Sequence, residues 1–122
     1  MKYLLLCCID EHMFEAMPKS ECDAFMDALA AYCETLQKNG HLIAAEPLES
    51  VREAVTVRGR ENTVSVTDGP FAETKEQIGG FFLINARDLN EAIRIASQFP
   101  SISLGSMEVR PVMELDRPWV RS

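Results

Sequence analysis

Hydrophobic and polar positions change period several times along this chain, and each change marks an element. Residues 2–9 carry an unbroken apolar run, Tyr3-Leu-Leu-Leu-Cys-Cys-Ile9, which predicts a strand buried on both faces of its sheet. A loop over Asp10–Met17 follows. Pro18 and Ser20 then mark a helix start, with Ser20 and Asp23 as a weak capping pair. Cys22, Phe25, Leu29, Tyr32, Cys33 and Leu36 recur at helical spacing. Asn39-Gly40 stops that helix, Gly40 suiting the left-handed position after a C-cap.

Further on, a period of two takes over. His41–Leu48 reads as a second strand, with Pro47 at its edge or exit. Over Val51–Arg58, Val55 and Val57 fall on one face, Thr56 and Arg58 on the other. A turn at Gly59–Asn62 and continued alternation at Val64 and Val66 predict a hairpin. A strand over Gly80–Ala86 is followed by a capping box, Asp88-Leu-Asn-Glu91, that opens a second helix with Leu89, Ala92, Ile93 and Ala96 inward. Phe99-Pro100 ends it. The last strand spans Ser106–Met113, with Met107, Val109 and Met113 on one face and Glu108, Arg110 and Val112 on the other.

Strand, helix, strand, hairpin, strand, helix, strand describes two βαβ-like halves on one antiparallel sheet. The expected fold class is α+β, a ferredoxin-like sheet with an inserted hairpin. Two helices cover one face only, while the strands at 3–9 and 81–84 are apolar on both. A second copy facing the first would cover the other face, so a homodimer forming an α+β barrel is expected. No internal repeat or linker divides residues 1–122, which predicts a single domain.

Special backbone roles crowd into Val66–Asn85. Asp68-Gly69 is a turn signal, and Pro70 drives Gly69 out of the helical region. Thr74 and Gln77 have capping-box spacing, suggesting one helical turn that carries Lys75 and Glu76 outward. Gly79-Gly80 opens a strand, where missing side chains imply a bulge or a close approach.

Composition narrows the function classes. The net charge of −7 with scattered basic residues argues against nucleic-acid binding. The apolar run at the N-terminus is short and lacks a small-x-small cleavage site, no stretch reaches membrane-spanning length, and a cytoplasmic location is expected. Cys7, Cys8, Cys22 and Cys33 have no metal-ligand spacing, because neighbours in a strand point to opposite faces. They read as reduced structural thiols, and neither a metal nor a cofactor is expected.

The segment Val66-Thr-Asp-Gly-Pro-Phe-Ala-Glu-Thr-Lys-Glu-Gln-Ile-Gly-Gly-Phe81, with Met1-Lys-Tyr-Leu-Leu-Leu6 and Val109-Arg-Pro-Val112, resembles the DGPF branch of the YCII-related (YciI-like) proteins. The resemblance covers almost the whole chain. It implies a dimeric α+β barrel, an association of many members with extracytoplasmic-function sigma factors, and in some relatives dehydrochlorinase or isomerase-like lyase activity through a His-Asp pair. Here residues 20–38 contain no histidine and Phe99 precedes Pro100, so that pair does not carry over. Asp68, Gly69, Pro70 and Phe71 do, with Lys75, Glu76 and Arg110 less directly.

Each candidate has a functional and a structural reading. Asp68 is either a pocket carboxylate acting as general base or the acceptor that fixes its own turn. Lys75 and Glu76 are ligand contacts or a solvated charge pair. Arg110 either clamps an anionic group or pairs with Asp68 or Glu108. His12 is a pocket imidazole or a solvated loop residue. His41 follows the helix C-cap, where its charge would favour the helix dipole. Tyr32 points its hydroxyl to a pocket or packs with a polar tip. Two functions follow: a small-molecule pocket between helix and sheet for an anionic or ring compound, or a non-catalytic module that acts through a protein partner.

Overall fold

The computed structural model describes residues 1–120. Its elements are β1 (Lys2–Ile9), α1 (Glu11–Glu15), α2 (Lys19–Lys38), β2 (Leu42–Pro47), β3 (Val55–Arg60), β4 (Thr63–Asp68), β5 (Gln77–Asn85), α3 (Leu89–Ser97) and β6 (Gly105–Pro111). Short 3₁₀ turns occupy Val51–Glu53 and Pro100–Leu104. The order β2-β5-β1-β6 makes a four-stranded sheet whose neighbours are all antiparallel. Setting aside the inserted hairpin, this is the ferredoxin-like strand order.

Alternation in β1 and β5 decides which face is packed. Tyr3, Leu5 and Cys7 pair in register with Ile84, Phe82 and Gly80, and the side chains of all but the glycine meet Leu36 of α2 and Ala92, Ile95 and Ala96 of α3 in one core. Leu4, Leu6, Phe81 and Leu83 fall on the opposite face and are only half-buried. That open face carries Glu108 and Arg110 along β6 and Ala44 and Glu46 along β2. It has an apolar centre with polar edges.

The helix ends are set by specific residues. Asp88 caps α3 by accepting from Glu91 N at 2.9 Å, and Glu91 returns to accept from Arg87 N at 2.8 Å, a capping box displaced by one residue. That backbone N–H, joined by the Arg87 and Arg94 guanidiniums, holds the Glu91 carboxyl below its ordinary range. The buried positions of α3 are Glu91, Ala92, Ile95 and Ala96. Leu89 and Ile93, expected inward, are nearly half exposed, because the buried stripe of α3 runs through Ala92, Ile95 and Ala96 instead. Gly40 takes the left-handed conformation after α2 at φ 82°.

Several local expectations fail for identifiable reasons. Asp10 is a helix N-cap, its carboxylate accepting from His12 N at 3.0 Å, so part of the expected loop is the one-turn helix α1. Ser20 caps nothing; α2 begins at Lys19 after Pro18, and Asp23 pairs with Lys19 at 2.7 Å instead. No helical turn forms at Thr74–Gln77. The Thr74 hydroxyl donates to Glu76 O, and Gln77 Nε2 donates to Ala72 O and Thr74 O, which holds the segment as successive bends. The hairpin strand starts at Val55 because Val51–Glu53 coils into a 3₁₀ turn capped by Ser50. Met113 lies beyond β6 and is exposed.

Glycines shape the sheet where chains approach closely. The pairing Cys7↔Gly80 then Cys8↔Ile78 leaves Gly79 unpaired, which is the bulge anticipated from the sequence. A Cβ on Gly80 would sit 3.1 Å from the Glu46 carbonyl oxygen, and one on Gly105 would sit 2.0 Å from the Cys8 carbonyl oxygen.

Candidate functional site

Two hollows of about 540 Å³ each open at the same end of the sheet. Cys7 and Cys8, neighbours on β1 that point to opposite faces, divide them: Cys7 lines one and Cys8 the other. Leu48 and Ser50 line both. The segment between β2 and the 3₁₀ turn is therefore a shared wall.

The first hollow is the motif cleft, between residues 48–54 and the stretch after the hairpin. Pro70, Phe71, Ala72, Glu76 and Ile78 line it with Cys8. Gly69 turns the chain into this cleft at φ 103°, where only glycine is unstrained. Its N–H donates to Ala54 O at 2.8 Å and its carbonyl accepts from Thr56 Oγ1 at 2.8 Å. Phe71 is 81% exposed; Arg58 lies over its ring, 5.7 Å from the centroid, and donates to its carbonyl at 3.3 Å. Glu76 accepts from Ser106 Oγ at 2.7 Å. The cleft holds three carboxylates, Glu49, Glu53 and Glu76, and among the described residues no cationic side chain.

The second hollow is a chamber between the helices and the sheet. Phe14 of α1 and Phe25, Leu29 and Cys33 of α2 form its roof, with Cys7, Phe82, Gly79 and Gly80 below. The glycines explain the space. Gly80 sits on the packed face of β5, and where a side chain would meet the first half of α2 there is none. Phe14 and Phe25 stand edge to face at 6.1 Å between centroids. The lining is mostly apolar, Glu11 and Glu15 belong to its α1 side and Glu46 to its β2 side, and among the described residues no Lys, Arg or His lines it.

Cys7 and Ser101 are neutral polar groups of this lining that are buried. Burial pushes the Cys7 thiol above its ordinary value, with a smaller opposing pull from the nearby Ser101 hydroxyl. The two do not meet in hydrogen-bonding geometry, and Ser101 Oγ is buried without a partner among the described residues. Burial also raises Cys33. Cys8 is raised chiefly by burial, then by the fields of Cys7, Glu108 and Glu76.

The structure scatters the remaining candidates. Asp68 ends β4 as an exposed residue and lines neither hollow. Lys75 is exposed on the bends. His12 is exposed on α1. Tyr32 donates its hydroxyl to Ile95 O at 2.8 Å and packs edge to face on Phe99 at 4.7 Å, tying α2 to α3; burial raises its phenol. Arg110 lies on edge strand β6, its guanidinium 2.7 Å from Glu108, with both side chains largely exposed. His41 Nδ1 meets Asn85 O at 2.9 Å. Pro70, Phe71 and Glu76 thus converge on the cleft, while Gly79 and Gly80 belong to the chamber.

Residues 1–116 match the family described as YCII-related domain. The chain belongs to that family. An uncharacterised protein of Rhizobium meliloti (strain 1021) is 39% identical to this YCII-related chain over 114 residues, covering 92% of both. A solved structure, 5-chloro-2-hydroxyhydroquinone dehydrochlorinase from Burkholderia phenoliruptrix AC1100 in complex with 2,5-dihydroxybenzoquinone, superposes with a TM-score of 0.53. It is 16% identical and the alignment covers 93% of this chain and 94% of that one, a likeness that speaks for the fold alone. Among the described residues no cluster of His, Cys, Asp or Glu is placed to hold a metal ion, and no helix is long and apolar enough to cross a membrane.

Proposed function

We propose that this YCII-related protein binds a small, uncharged ring compound in the chamber between α1, α2 and the sheet. The observation that carries the reading is the chamber itself: about 540 Å³, walled by Phe14, Phe25 and Phe82 and floored by the glycine pair. A concave, mostly apolar hollow with a few polar groups is the usual form of a small-molecule site. Aromatic walls favour a flat guest. Among the described residues no cation lines the chamber beside Glu11, Glu15 and Glu46, which disfavours the anionic half of the ligand class read from the sequence. Lyase- or isomerase-type turnover is the reaction class to test first, because the structural relative bears a dehydrochlorinase name. In this reading a second copy covers the open sheet face and the protein works in the cytoplasm.

A thermal-shift panel of neutral aromatic compounds tests it, since a bound ligand raises the melting temperature by mass action. Leu29→Trp fills the chamber and Ala72→Trp fills the motif cleft. A shift abolished by Leu29→Trp and kept by Ala72→Trp is expected. The reverse pattern, or no shift with any compound, overturns the reading.

A further inference from the structure

Resting on that chamber reading, we infer that Ser101 is its specificity-determining residue, selecting a ring that carries a hydrogen-bonding oxygen over a plain hydrocarbon ring. Ser101 follows Pro100 in the 3₁₀ turn before β6 and is 3% exposed. Its Oγ is the buried side-chain polar atom left without a hydrogen-bond partner among the described residues, and Ser101 lines the chamber beside Cys7 and Phe82. A buried hydroxyl with nothing to bond is costly to keep. Alanine would fill the same position without that cost, so fold stability gives no reason for a serine here. A phenolic or carbonyl oxygen on a guest would supply the missing partner. Oγ is closed off as it stands, so meeting a guest requires the hydroxyl to turn about χ1 towards the hollow.

The surroundings narrow the guest further. Ser101 and Cys7 are the polar side chains on the buried floor, and both are neutral in this apolar setting. Burial keeps the Cys7 thiol protonated. The Glu11 carboxylate on the α1 side disfavours a carboxylate or phosphate, while that of Glu15 is paired with Arg52. A phenol, enol or ketone ring satisfies the hydroxyl without bringing charge into the chamber.

The experiment compares 2-naphthol with naphthalene in the wild type and Ser101→Ala, by fluorescence titration and by melting of the ligand-free proteins. Wild type should prefer the naphthol by about tenfold, the worth of one hydrogen bond. Ser101→Ala should bind the two equally and should itself melt higher by about 2–6 °C, since the unbonded hydroxyl is gone. A preference that survives the substitution overturns the assignment, as does a variant that melts lower, which would mean the hydroxyl is structurally bonded. Binding of both compounds with no preference in the wild type overturns Ser101 and leaves the chamber standing. Binding of neither overturns the chamber as well.

Discussion

Glu11 and Ser50 lie 39 positions apart and are joined by a 3.0 Å hydrogen bond from the serine hydroxyl to Glu11 Oε2. The other carboxylate oxygen accepts from Val51 N at 2.9 Å. Arg52, one residue further, donates to Glu15 at 2.9 Å. One turn of helix thus grips the segment that walls both hollows. A five-residue helix has no independent stability, so the two grips hold each other in place.

Glu11→Ala should therefore loosen the wall as well as the helix. Losing two hydrogen bonds to a carboxylate, with Val51 N left half-buried, should cost about 1–3 kcal/mol. Glu11→Gln keeps an acceptor for Val51 N and should cost less than half as much. Urea midpoints of the three proteins measure this. Equal midpoints for wild type and Glu11→Ala would show that the grip contributes nothing.

Alkaline pH should unfold the protein early. Burial raises Cys7, Cys33 and Tyr32 above their ordinary values. A group protonated in the fold but ionised in the open chain favours unfolding once pH passes its ordinary value. Its contribution is complete below about pH 8.5 for a thiol and is lost as pH climbs towards the raised value. The urea midpoint should fall between pH 7.5 and 10, and fall less steeply in Cys7→Ala. All four cysteines are free, so thiol titration of the denatured chain without reductant should find four. Parallel slopes in the two proteins would show that Cys7 ionisation is not coupled to folding.

Much of this fold was written in the periodicity. The strand order follows from where period two gives way to period 3.6, and Asp88 with Glu91 marks α3 to the residue. What escaped was anything set by contact between distant segments. Phe25, Leu29 and Cys33 have the spacing of a packed stripe, and only the fold shows Gly80 lying beneath them and leaving space. Asp10 looked like loop because one turn of helix is too short to show a period. Ser101 gave no signal, since a lone serine after a proline is ordinary turn chemistry. Val55, Val57, Val64 and Val66 alternate as predicted, yet all are about 60% exposed or more, because their hairpin forms a separate two-stranded sheet. The sigma-factor association came from resemblance alone and no residue described here argues for it.

The open sheet face sets an expectation for assembly. Leu4, Leu6, Phe81 and Leu83 make a half-exposed apolar centre across β1 and β5. Light scattering at micromolar concentration should give twice the 13.7 kDa chain mass. Leu83→Glu, which puts a charge at that centre, should shift dissociation to at least tenfold higher concentration. A well-folded wild-type monomer would sink the two-sheet arrangement.

Asp68 and Arg110 decide whether the motif reaches a ligand at all. The turn after Asp68 is held by Gly69 N to Ala54 O and by Thr56 Oγ1 to Gly69 O, both at 2.8 Å, and not by any described hydrogen bond from the exposed carboxylate. Asp68→Ala should accordingly cost less than about 0.5 kcal/mol, as surface substitutions do. Thr56→Val, which deletes the hydroxyl that does hold the turn, should cost about 1 kcal/mol. Arg110→Met breaks an exposed pair with Glu108 and should cost less than about 1 kcal/mol. Urea unfolding gives the three stabilities, and 2-naphthol titration of Asp68→Asn and Arg110→Met gives the affinities. Both variants should bind as wild type does, because neither side chain lines the chamber. A loss of affinity in Asp68→Asn without a loss of stability would instead return the general-base reading to the motif and move the site to its cleft. The same loss in Arg110→Met would restore the anionic ligand.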